Sequence, residues 1–244
     1  MKLIKLIIFL LILILAALGL TPFNFYYSQL EKYMRPIKLE NISGSVVKGS
    51  AESLKYLGMD LGRINWLLYP SSYDAITLDF DVSDKLYDFN GKVIKKKGSQ
   101  IIKGLSGTAD WSLIQKNINF NHGEISGYFD FDFSHVAIKD GVPQRIVGTV
   151  TTKDFKLLKP LQKDLGEVKI EFNSDNPQII VGQINSQSNV INISGAIYIH
   201  KSRRWEIKLT LLPMPGEYEI EYALQSIGDK RAGGGRSLNM AGFY

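Results

Sequence analysis

Beyond Pro36 the chain alternates apolar and polar residues with a period of two, the pattern of strands with one buried and one wet face. Ile76, Leu78, Phe80 and Val82 share one face of a segment whose other face carries Thr77, Asp79 and Asp81. Ile125, Gly127, Phe129, Phe131 and Phe133 oppose Tyr128, Asp130 and Asp132, and Val168, Ile170 and Phe172 oppose Lys169 and Glu171. The set Ile191, Ile193, Gly195, Ile197 and Ile199 precedes Trp205, Ile207, Leu209 and Leu211, with a polar turn at Lys201-Ser202-Arg203-Arg204 between them. Tyr218, Ile220, Tyr222 and Leu224 alternate with Glu217, Glu219 and Glu221 and read as one more strand. Such one-sided alternation predicts antiparallel pairing, because parallel strands are usually covered on both faces and read as continuous apolar runs.

Glycine punctuates these strands in a recurring context: Ile42-Ser43-Gly44-Ser45, Leu105-Ser106-Gly107-Thr108, Ile125-Ser126-Gly127-Tyr128, Ile146-Val147-Gly148-Thr149 and Ile193-Ser194-Gly195-Ala196. Glycine inside a strand marks a bulge, a bend or a close backbone approach, so a repeatedly kinked, curved sheet is one reading. Relief of crowding beside large neighbours is the other. Lys95-Lys96-Lys97-Gly98 reads as a hairpin tip, and beyond Pro36 helix is expected only at Trp111–Lys116 and Asp154–Leu165, the latter interrupted by Pro160.

The N-terminus departs from this pattern. Leu3 to Leu20 form an apolar run broken only by Lys5, with Lys2 and Lys5 at its start. A run of about 18 residues at ~1.5 Å rise spans most of a ~30 Å hydrocarbon core, and the lysines hold the N-terminus in the cytoplasm. Ala17-Leu18-Gly19 offers the small residues a signal peptidase accepts, so cleavage is the competing reading. The run exceeds an ordinary signal-peptide core, and Phe23, Phe25, Tyr26 and Tyr27 follow at interface depth, which favours an anchor. Tyr26 to Met34 then reads as a short helical stalk stopped by Pro36.

Composition narrows the chemistry. The 244 residues are 45% hydrophobic and 22% charged, values of a folded chain. Without cysteine there is no lipoprotein linkage, disulfide framework or thiolate site, so burial and sheet hydrogen bonds must hold the core. The net charge of +5 falls to +3 once Lys2 and Lys5 belong to the anchor, a mild excess suited to lipid headgroups and giving no reason to expect nucleic acid. His122, His135 and His200 lie far apart, and no nucleophile elbow, P-loop or dinucleotide fingerprint is present. Asp79 with Asp81, and Asp130 with Asp132, could pair as acid and base, but the same spacing is the wet face of any alternating strand. Gly233-Gly234-Gly235 reads as a flexible joint.

Three stretches together resemble the type II secretion system protein N family. Gly44 to Gly49 lies in an early strand-turn-strand, Leu61-Gly62 precedes Trp66-Leu67-Leu68-Tyr69-Pro70, and Gly235-Arg236-Ser237-Leu238 leads to Gly242 in a closing strand. The motif residues are Gly44, Gly49, Gly62, Trp66, Leu68, Pro70, Gly235, Arg236, Leu238 and Gly242. Physically they read as packing positions: Trp66 and Leu68 alternate into a core, Pro70 should end its strand, and Arg236 is placed to pair an acid or rest on an aromatic ring.

The expectation is a mainly β protein: an N-terminal transmembrane helix followed by a curved antiparallel β-sheet domain, open, sandwich-like or trough-like. Residues 1–21 form the anchor, 22–36 the stalk and 37–244 the periplasmic domain. No catalytic, cofactor or metal site is expected. The resemblance implies a non-enzymatic, single-pass inner-membrane subunit that binds other type II secretion components and assists export of folded proteins across the outer membrane. The alternative is a periplasmic lipid-binding or lipid-transfer protein, whose apolar strand faces would form a trough for acyl chains.

Overall fold

The computed structural model describes residues 21–115, 124–159, 162–173, 176, 178–232 and 234–244. The expected anchor, His122 and Gly233 lie outside them. Among the described residues no helix is long and apolar enough to cross a membrane. The chain divides into two compact units, residues 1–97 and 98–244, and it is mainly β with antiparallel pairing in both.

The first unit opens with helix α1 (Asn24–Met34), followed by β1 (Ile37–Gly44), β2 (Lys48–Tyr56), β3 (Met59–Asp60), β4 (Arg63–Ser72), β5 (Ala75–Ser83) and β6 (Tyr87–Lys96). The order in the sheet is β1-β2-β4-β5-β6, with β3 hydrogen-bonded to β2. Leu39, Ala51 and Trp66 form the core together with Phe23 and Tyr27, which α1 and the turn before it contribute. Helix α1 also closes the outer edge of β1. The Phe23 N–H donates to the Gly44 carbonyl at 2.8 Å, and the Leu39 N–H donates to the Tyr27 hydroxyl at 2.6 Å. Both groups would otherwise stand unpaired at an exposed strand edge.

Pro70 does not end β4, contrary to the sequence expectation. The strand continues to Ser72, Pro70 pairs with Ile76, and the register slips between Pro70 and Ser72. Paired residues of β2 and β4 stop at Leu67, so Pro70 lies where β4 has a partner on one side only, and its missing N–H costs no ladder bond.

After the turn at Lys97-Gly98, where the sequence placed a hairpin tip, the second unit comprises β7 (Ser99–Asp110), α2 (Ser112–Gln115), β8 (Glu124–Lys139), β9 (Val142–Lys159), β10 (Lys163–Asp164), β11 (Glu167–Asn173), β12 (Ile179–Gln187), β13 (Ile191–His200), β14 (Arg204–Pro213), α3 (Tyr218–Ala223), a 3-10 turn (Leu224–Ser226), β15 (Asp229–Lys230) and β16 (Arg236–Phe243). Its sheet runs β7-β8-β9-β11-β12-β13-β14-β16-β15, with β10 on β9.

Two expectations fail in this unit. Asp154 to Lys159 is strand, and Lys163–Asp164 is strand again. Thr152, Phe155 and Leu157 are all buried, and the three-residue step from 152 to 155 imitates a helix. Its cause is a bulge: Asp154 and Phe155 stand opposite Gly127 alone, with Asp154 at φ 49°. Tyr218 to Ala223 is helix, not strand. Ile220, Ala223, Leu224 and Ile227 face the core at i, i+3, i+4 and i+7, while Tyr218 and Tyr222 are exposed. The expected helix at Trp111–Lys116 is present as α2, with Lys116 outside the described residues.

Both readings of the recurrent glycines find examples. Gly44, Gly107, Gly127, Gly148 and Gly195 all have positive φ, and Gly127 sits at the β8–β9 bulge. Gly148 also faces Phe133 across the ladder, as Gly107 faces Phe131.

Candidate functional site

The family-motif residues fall into two groups, each within one unit. In the first unit Gly44 pairs with Gly49, and Gly49 pairs with Trp66. A Cβ on Gly49 would stand 2.5 Å from Trp66 Cζ2 and 2.7 Å from the Ser43 carbonyl oxygen, so the indole occupies the place of the missing side chain. Trp66 is buried, its Nε1 donates to the carbonyls of Ser45 and Val46 at 3.2 Å each, and Phe23 packs edge-on to it at 5.9 Å. Gly62 takes φ 69° at the entry to β4, where its N–H donates to Asp60 Oδ1 at 2.9 Å. Leu68 is half-buried opposite Leu78. Gly49 and Phe23 thus pack directly around the Trp66 indole.

In the second unit Gly235, Arg236, Leu238 and Gly242 follow the line of β16. Gly242 pairs with Trp205, and a Cβ there would stand 2.7 Å from the indole, repeating the Gly49–Trp66 arrangement. Arg236 pairs through its backbone with Leu211 and Lys230. Among the described residues it forms no ion pair. Leu238 has a different setting: it lines a cavity.

A cavity in the second unit left no signal in the sequence. It measures about 230 Å³ and lies within the core of the second unit, where one face of β8, β9, β11, β12, β13 and β14 turns toward α3 and the 3-10 turn. Trp111, Phe129 and Phe155 make one wall. Ring centroids lie 5.2 Å apart for Trp111–Phe129 and 5.0 Å for Trp111–Phe155. Isoleucine, leucine, valine and Ala223 make the rest. Thr152 contributes a hydroxyl that is already engaged, since its Oγ1 accepts the Val168 N–H at 2.8 Å. Trp111 Nε1 is buried and has no acceptor among the described residues.

The lining is apolar apart from Thr152 and Trp111, and the unsatisfied indole N–H carries a desolvation penalty.

The paired carboxylates have ordinary strand-face surroundings. Asp79 accepts from Tyr69 Oη at 3.2 Å and pairs with Lys92 at 3.1 Å, and Asp81 accepts from the Asn65 amide at 3.1 Å. Asp130 and Asp132 lie on the exposed face of β8. No group of three acidic or histidine side chains able to hold a metal occurs among the described residues. Around β14, Glu206 sits between Lys208 at 3.3 Å and Arg204 at 3.0 Å. The hydrogen bond from Lys208, then the charges of Arg204, Lys208 and His200, hold its carboxyl below the usual glutamate range. Lys163 of β10 reaches Glu217, just before α3, at 2.8 Å, and that hydrogen bond raises the Lys163 pKa above its ordinary value.

The fold and these groupings define an antiparallel β protein in which Trp66 and Trp205 pack over Gly49 and Gly242. The family description "Type II secretion system (T2SS), protein N" matches residues 35–239, and the chain belongs to that family, a component of a cell-envelope secretion system. Comparison with curated proteins and with solved structures finds no match.

Proposed function

We propose that this chain is a non-enzymatic, single-pass inner-membrane subunit of the type II secretion system, with its N-terminus in the cytoplasm and residues 37–244 in the periplasm. The observation that carries this reading is the family match over residues 35–239. The apolar run from Leu3 to Leu20 with its leading lysines supports the anchor and its orientation. The work of such a subunit is recognition of other secretion components, with no bond made or broken.

Strand-edge pairing is the mode the sheet favours. Helix α1 covers the outer edge of β1, whereas β15 covers β16 only at Arg236 and Ser237. The outer side of β16 from Leu238 to Phe243 is a site for an added strand, flanked by exposed Met240 and Phe243. A photo-crosslinking amino acid placed at Met240 or Phe243, in cells making all secretion subunits, is expected to capture another subunit of the machine. A secretion-competent protein that captures none from either position would remove this edge from the account.

A further inference from the structure

We infer that one end of the first unit is a docking surface for the anionic phospholipid headgroups of the bilayer in which the chain is anchored. This end comprises the start of α1, the β1–β2 and β4–β5 turns and the lysine-bearing end of β6. The docking presupposes the membrane anchor proposed for Leu3 to Leu20. The unit begins at Phe23, whose N–H donates to the Gly44 carbonyl at 2.8 Å and whose buried ring packs against Tyr27 and Trp66. Three residue steps separate Phe23 from Leu20, and at ~3.3–3.6 Å per residue they span about 11 Å at most. The end of β1 is thereby tethered within that distance of the bilayer.

Sheet register places other residues at the same end. Gly44, Gly49, Trp66, Phe80 and Gly91 stand in one row across β1, β2, β4, β5 and β6. Past that row, on the side where α1 begins, β4 continues to Ser72 and β6 to Lys96, five or six residues or about 16–20 Å at ~3.3 Å each. Tyr73 in the β4–β5 turn is fully exposed, and Val47 in the β1–β2 turn and Phe25 at the start of α1 are exposed as well. Lys48, Lys95, Lys96 and Lys97 are exposed at this end, where the turns hold one acid, Asp74, at 3.9 Å from Lys96. At the other end the β5–β6 turn, Asp84-Lys85-Leu86, carries no net charge. Aromatic rings beside lysines suit a membrane interface, and the cations attract an anionic leaflet within a Debye length of about 8 Å. An acidic protein would match the lysines, but only the bilayer is held within reach by the chain itself.

The chain has no cysteine, so Val47→Cys, Tyr73→Cys and Leu57→Cys each give a single site for a fluorophore in the full chain. Leu57 is also exposed, in the turn between β2 and β3 at the other end, and serves as the control. The labelled chains are placed in nanodiscs of phosphatidylcholine and phosphatidylglycerol in which a fraction of the lipid carries a nitroxide on its headgroup. Quenching at positions 47 and 73 is expected to exceed that at position 57 several-fold. Omitting phosphatidylglycerol should lower quenching at position 73 several-fold. The combined change Lys95→Glu, Lys96→Glu and Lys97→Glu should do the same while keeping the parent circular dichroism spectrum.

Equal quenching at positions 73 and 57, in chains that co-elute with the nanodiscs, overturns the docking and leaves the anchor standing. Quenching at position 73 that survives both the neutral bilayer and the charge reversal also overturns it, because anionic headgroups would then play no part. A chain that elutes apart from the nanodiscs overturns the anchor and the docking together.

Discussion

Gly49 and Trp66, and again Gly242 and Trp205, face each other across neighbouring strands, and in both pairs the indole lies over the glycine. Aromatic cover of a strand glycine removes the solvent exposure that makes glycine weak in a sheet, and it requires that no side chain be added. Gly49→Ala should therefore cost about 1–3 kcal/mol, the range for overpacking a closed site, as read by urea unfolding. Gly195 adds a backbone requirement, since it holds φ 155° and a Cβ would fall on the Lys208 carbonyl oxygen. Gly195→Ala should destabilise by at least as much as Gly49→Ala. A change below about 0.5 kcal/mol at both positions would contradict the packing described.

Glu206 offers a residue-scale test by pH. Its carboxyl is held below the ordinary glutamate value, first by the Lys208 hydrogen bond. Stability from this group is thus present above the unfolded-state pKa of about 4.3 and is lost as pH falls through the lower folded-state value. Glu206→Gln should flatten the acid limb of a melting-temperature profile below about pH 4.3 and leave its shape near neutrality unchanged. An unchanged acid limb would mean that Glu206 has the same affinity for protons folded and unfolded.

At the scale of elements, alternation made most strands legible, because a sheet with one buried face writes its period directly into the sequence. It failed where two periods coincide. Ile220 and Leu224 are four apart, which suits a strand face and a helix face equally, and only the burial of Ala223 and Ile227 separates them. It failed again at Asp154, where one bulge residue shifts the phase of β9 and turns a strand into an apparent helix. The helical state of α3 is testable by Glu221→Pro. That change should cost about 3 kcal/mol or more in a helix interior, whereas Glu221→Ala should be nearly neutral. Ile220→Ala should cost about 2–5 kcal/mol, since this side chain is almost fully buried.

The candidate site was legible in part for a similar reason. Trp66, Gly49 and Gly242 read in the sequence as packing positions, and in the structure the Trp66 and Trp205 indoles lie over Gly49 and Gly242. The cavity left no mark in the sequence. Periodicity tells which face of a strand is buried, and it is silent on whether facing side chains meet or leave a gap between them. Trp111, Phe155 and Ala223 come together from three distant segments, and no spacing rule links them.

The whole molecule carries an apolar N-terminal run and two antiparallel β units, and it belongs to the type II secretion system protein N family. With the proposed topology, a reporter active only in the periplasm should work when fused after Tyr244 and fail when fused before Met1. The central claim is participation in secretion. Its most direct test is a clean deletion strain rescued from a plasmid, scored for exoprotein location alongside outer-membrane permeability. Folded exoproteins are expected to accumulate in the periplasm behind an intact barrier, and the plasmid to restore their release. Normal secretion in the deletion strain would contradict this claim.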